Sequence, residues 1–180
     1  MRLSNAEKLI LTMLADIHKE LNIQGDVDAR FVTKAIYTGN TWALSWEMQS
    51  IVGDSPEPTP PIVSEVVDII DMWSFIEEAY SSFDDAERKR VKDEAEPFGE
   101  HVEFAGFDGN NETEHMSIAR FLVEEMNRFS RFKGRDLNSH YPSIDGYREM
   151  LAVFNPIRET LIGHGLSVDQ LVAVLQAKRR

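Results

Sequence analysis

The sequence predicts an all-α fold: a compact single-domain bundle of seven to eight helices packed around one central, buried helix. Two observations lead there. Apolar residues recur at three- and four-residue spacing through most of the chain, and no alternating strand pattern lasts more than a few residues. One segment, residues 60–83, is apolar on nearly every side, as a helix enclosed by others must be.

Taken in order, the first helix starts at Ser4, where Ser4 and Glu7 have capping-box spacing. Leu9, Ile10, Met13, Leu14, Ile17 and Leu21 follow at helical spacing until Gly25 and Asp26 break the pattern. A second helix is predicted over 27–37, stopping at Gly39, and a third over 41–52, stopping at Gly53. Trp42 and Trp46 share one face of the third, as core or as partner surface. Residues 53–61, GDSPEPTPP, carry four prolines in six positions and cannot propagate a helix. They read as an exposed connector inside a single 1–180 domain.

Pro60 then suits the first helical position of the central helix. Ile62, Val66, Ile69, Trp73, Ile76 and Tyr80 share one face, Val63, Ile70 and Met72 widen it, and Ser64, Asp68, Asp71 and Glu78 form a narrow polar stripe. The charged run 84–96 reads as a solvated helix ended by Pro97 and Gly99. A long helix is predicted over 110–132, with Ile118, Leu122, Met126 and Phe129 facing the core. Pro142 and Ser143 start the next, with Tyr147, Met150, Leu151 and Phe154 as its apolar face, and Asn155-Pro156 should kink or interrupt it. Ser167 and Gln170 cap a short last helix.

Composition narrows the function classes. The 180 residues include no cysteine, which excludes disulfides, thiolate catalysis and Cys-ligated zinc. No apolar run is long enough to span a bilayer, and the polar start MRLSNAEKLIL argues against a cleaved signal peptide. A cytoplasmic location is the simplest expectation. The net charge of −12 opposes binding to nucleic acid or anionic lipid. The charge is uneven: residues 61–115 hold 16 acids against 4 bases, and residues 116–180 hold 7 acids against 10 bases. That polarity suits either head-to-tail self-association or plain solubility.

Two residue sets have chemical potential. Asp68 and Asp71, three apart on the central helix, are neighbours that can hold a divalent ion or share acid–base work; the alternative is a solvated edge or pairing with arginine. Arg128, Arg131 and Arg135, with Asn138 and His140 from the following loop, form a cationic cluster at the end of the 110–132 helix. Arginine binds phosphate or carboxylate by bidentate hydrogen bonds. The competing view is charge complementation of the helix end and internal neutralisation by Glu124 and Glu125. His101 and His115 flank a turn containing Asp108 and Glu112, but no metal-binding motif is present, and His115 projects onto an apolar face as a hydrogen-bonded core histidine does. The turn Gly106–Asn110 matches neither a dinucleotide fingerprint nor a phosphate-binding loop, so it reads as a capping turn. No nucleophile motif is present.

Several stretches, in order, resemble the YfbU-like family of bacterial proteins. They are Ser4–Leu11, Asp68–Trp73, Phe104–Asp108 with Glu112, Arg120-Phe121, Arg128-Phe129 and Tyr147–Leu151. The proline-rich loop at 56–61 and the charged segment at 84–96 look like departures. The resemblance implies a compact all-α bacterial cytosolic protein and transfers no catalytic residue. The functional expectation is a non-enzymatic binding or interaction module that forms a homo-oligomer, with no cofactor and with a small anionic ligand as a further partner. The alternative is a metal-dependent enzyme acting on a phosphorylated small molecule through Asp68 and Asp71.

Overall fold

In the computed structural model, residues 2–48 and 58–178 are described. They form eight α-helices and no sheet, and a single bridge joins Phe107 to Asn138. The all-α expectation holds. The chain falls into two compact units, residues 1–61 and 62–180.

The first unit holds α1 (Asn5–Glu20), α2 (Ala29–Tyr37) and α3 (Trp42–Glu47). The predicted capping box is present: Glu7 N donates to Ser4 Oγ at 3.2 Å, and Ser4 N donates to Glu7 Oε2 at 2.7 Å. Asp28 caps α2 by accepting from Arg30 N and Phe31 N. Phe31, Val32 and Ala35 of α2 are buried with Trp42, Ala43 and Leu44 of α3. Trp42 and Trp46 meet edge to face at 5.0 Å, and Trp46 Nε1 donates to Thr59 Oγ1 at 3.2 Å. The end of the helix predicted over 41–52 and most of the proline-rich connector lie outside the described residues.

The second unit is organised by α4 (Pro61–Ser82). Val63, Val66, Ile69, Ile70, Met72, Trp73, Ile76 and Ala79 are all buried, so apolar side chains cover most of its circumference as predicted. Burying each large side chain is worth about 1.5–3 kcal/mol. Around it run α5 (Asp85–Glu94), α6 (Thr113–Arg120), α7 (Ile144–Arg158) and α8 (Val168–Ala177). α8 packs on α7 and α5, and its Ser167–Gln170 capping box forms as predicted.

One expectation fails and another is narrowed. The helix predicted over 110–132 is α6 followed by one wide π turn over Phe121–Glu125. Asn127 and Phe129 then take left-handed backbone angles, φ 51° and 55°, which no α-helix continues through. Phe129 is consequently only half-buried, and Phe132, in a short 3-10 turn over Ser130–Phe132, fills the core. Of the kink or interruption expected at Asn155-Pro156, the interruption is absent. α7 runs through Pro156 to Arg158, with Tyr147, Met150 and Phe154 buried.

Candidate functional site

The stretch Phe104–Glu112 is a structural latch. Gly106 has φ +87°, and a Cβ there would lie 2.1 Å from the Leu137 carbonyl, so only glycine fits. The contact is held by Phe107 N donating to Leu137 O at 3.1 Å and Ser139 N donating to Phe107 O at 3.1 Å. Gly106 O accepts from Ser143 Oγ at 3.2 Å and from the Tyr147 hydroxyl at 3.1 Å.

The buried carboxylate of Glu112 accepts from Asp108 N at 2.9 Å, Ser143 N at 2.6 Å, Ser143 Oγ at 2.8 Å and Ile144 N at 2.9 Å. It thereby caps α7 from 32 residues away. Burial is the largest single influence on its ionisation and disfavours the charge. The hydrogen bonds from Ile144, Asp108 and Ser143 together outweigh it and hold the carboxyl below the usual glutamate range.

The cationic cluster predicted at the end of α6 is distributed among internal partners. Arg135 makes a bidentate pair with buried Glu77, at 2.7 and 2.8 Å, and Glu77 Oε1 also accepts from Phe104 N at 2.8 Å. Arg131 approaches Glu78 at 3.8 Å. Asn138 Oδ1 accepts from Gly109 N and His140 N, and His140 Nε2 lies 3.7 Å from Asp136. Glu124 accepts from Gly134 N at 2.7 Å. Arg131 and Arg135 thus meet the acidic end of α4, while Asn138 and His140 belong to the loop beside Gly109. Arg128 has interactions of its own.

Asp68 and Asp71 share one counter-ion: Arg158 of α7 lies 3.0 Å from Asp71 and 3.8 Å from Asp68. Among the described residues no three His, Asp or Glu side chains converge as a metal site. His115, expected as a buried, hydrogen-bonded core histidine, is half-buried, with Nε2 3.0 Å from Glu65. Glu65 also takes Arg148 at 2.7 Å. The Arg148 hydrogen bond, opposed by partial burial and helped by His115, lowers the Glu65 carboxyl below its ordinary range.

α1 has the opposite character. Its Lys8, Leu11, Thr12, Ala15 and His18 are half-buried, and the helix packs on α2. Its apolar stripe points away: Leu9, Ile10, Met13, Leu14, Ile17 and Leu21 are 51–68% exposed, and no residue of α1 is buried. A cleft of about 710 Å³ in the same unit is lined by Asp16, His18, Lys19, Arg30, Lys34 and Tyr37 among others, and none of the stripe residues lines it. Periodicity revealed the stripe, but not that the helix docks by its other face.

A family model described as the YfbU domain matches residues 1–177. The chain is also similar to the UPF0304 protein MJECS11 of Methanocaldococcus jannaschii, at 29% identity over 157 residues, covering 84% of this chain and 87% of that protein. No helix among the described residues is long and apolar enough to cross a membrane.

Proposed function

The chain belongs to the YfbU family, and on that premise we propose that it is a non-enzymatic, cytoplasmic interaction module that self-associates through the outward stripe of α1. The observation that carries this reading is a stripe of six large apolar side chains, five on α1 and one at its C-cap Leu21, each more than half exposed. A stripe of this kind is a partner surface or an aggregation hazard. Together these side chains offer on the order of 600 Å² per copy, close to the ~800 Å² per partner of a standard stable interface.

A second copy fits the stripe better than an unlike partner does. An antiparallel pairing about a two-fold axis between Met13 and Leu14 sets Ile10 of one copy against Ile17 of the other, twice over. Charge is compatible with the same face. Residues 1–60 hold 8 acids against 5 bases, whereas residues 61–115 hold 16 against 4, so two copies meeting through α1 avoid the most acidic stretch of the chain.

The enzymatic alternative draws less support. Arg158 already neutralises Asp68 and Asp71, and Glu77 occupies the bidentate face of Arg135 that an anionic ligand would need. The test is sedimentation at several concentrations. Wild type associates reversibly, and Ile10→Asp, at a position already 55% exposed, remains folded and monomeric. A wild type that stays monomeric at high concentration, or a variant that associates unchanged, removes the proposal.

A further inference from the structure

Lys178, just past the end of α8, is enclosed by aromatic rings of the second unit. Its Nζ lies 5.2 Å from the ring centroids of Phe98 and Tyr147, 5.8 Å from Tyr141 and 6.0 Å from Trp73. Its stem crosses the first turn of α7 at Gly146, where a Cβ would sit 2.9 Å from Lys178 Cγ, so the groove exists only because residue 146 has no side chain. Tyr147 and Trp73 form a buried inner wall, while Tyr141 is 47% exposed and forms an outer one. The Trp73 indole N–H is buried with no hydrogen-bond partner.

We propose that Trp73, Phe98, Tyr141 and Tyr147 form a binding site for organic ammonium groups, with Lys178 as its internal occupant. The rings present what such a cation needs, since a positive charge within about 6 Å of a ring centroid is drawn to the negative π face. Geometry and charge concur: burial pulls the Lys178 ammonium below the ordinary lysine range. The four rings offer compensation to the cation in place. A box built for apolar volume would be filled by leucine or methionine at no desolvation cost. An external alkylammonium or quaternary ammonium group competes with Lys178 for the same four rings. This inference is independent of self-association, since it rests on residues of the other unit.

Lys178→Ala empties the box in the full-length chain. Adding ~50 mM n-butylammonium chloride, against sodium chloride at matched ionic strength, should raise the melting temperature of this variant by mass action, and that of wild type by less because Lys178 competes for the rings. The Trp73 indole ¹H–¹⁵N resonance, assigned with Trp73→Phe, should shift saturably in the same titration. Adding Tyr141→Leu to Lys178→Ala should abolish both responses. Equal responses in wild type and Lys178→Ala, or none in either, overturn the proposal. Lys178→Met supplies an arm that survives a failure of the alanine variant to fold. A cation site makes this neutral, similar-sized variant melt below wild type at neutral pH, whereas a melting temperature equal to or above wild type contradicts the site.

Discussion

Glu112→Ala should be among the most damaging single changes in the second unit. The carboxylate receives three backbone N–H groups and one hydroxyl, all at 2.6–2.9 Å. Each hydrogen bond to a charged group is worth about 1.5–3 kcal/mol, and each buried donor left without an acceptor costs about 1–3 kcal/mol. Water entering the vacated space recovers part of this, leaving a net loss of about 3–5 kcal/mol. That is a large share of the ~5–15 kcal/mol that holds a typical domain together. In urea, with a slope near 2 kcal/mol/M, the midpoint should fall by about 2 M at unchanged slope. Glu112→Gln keeps one acceptor oxygen and should lose roughly half as much. The pH dependence has a definite sign. The folded carboxyl titrates below the ordinary glutamate value of 4.5, so the stabilisation is fully present above pH 4.5 and is lost as pH falls through the lower, folded value. Glu112→Gln should flatten that part of the acid limb. A loss below about 1 kcal/mol for Glu112→Ala would show that solvent or a neighbouring group replaces the carboxylate, and the latch would not be what holds α7.

Gly106→Ala should prevent folding of the second unit, because a Cβ at 2.1 Å from the Leu137 carbonyl meets backbone that has no room to yield; a near-native circular dichroism melt would refute this. Arg135→Lys keeps the charge but loses the bidentate pairing to buried Glu77, at a cost of about 2–3 kcal/mol by denaturant titration. Asp71→Asn should cost less than about 1 kcal/mol, since its pair with Arg158 is partly exposed. A rise in melting temperature with millimolar Mg²⁺ that Asp71→Asn erases would restore the metal-dependent reading.

Local signals were the legible ones. The Ser4–Glu7 and Ser167–Gln170 boxes lie within four residues and formed as their spacing dictated. The enclosed helix α4 was legible because its apolar residues leave only a narrow polar stripe. Phe129 was misplaced because the apolar spacing continues past the point where the backbone turns left-handed, and a side-chain pattern carries no record of φ. The cationic cluster was visible as charge but not as structure, because Glu77 and Arg135 are 58 residues apart. The aromatic box is assembled from residues 73, 98, 141 and 147 and leaves no local trace at all. The α1 stripe shows a further limit: spacing identifies an apolar face, but not whether the chain itself or another copy covers it.

Self-association through α1 is the central claim, and the chain offers a direct way to measure it. With no native cysteine, Asp16→Cys provides a unique thiol on an exposed flank of the stripe, and a spin label there reports the distance between copies by pulsed electron resonance. Helices packed face to face stand about 8–10 Å apart. Near-central labels on an antiparallel pair should therefore give a narrow distribution below roughly 35 Å, once two label arms are allowed for. Ile10→Asp in the same chain should abolish that distance. A persistent short distance in the Ile10→Asp chain, or a wild-type dimer whose labels lie far beyond that range, would place the interface elsewhere and contradict the account.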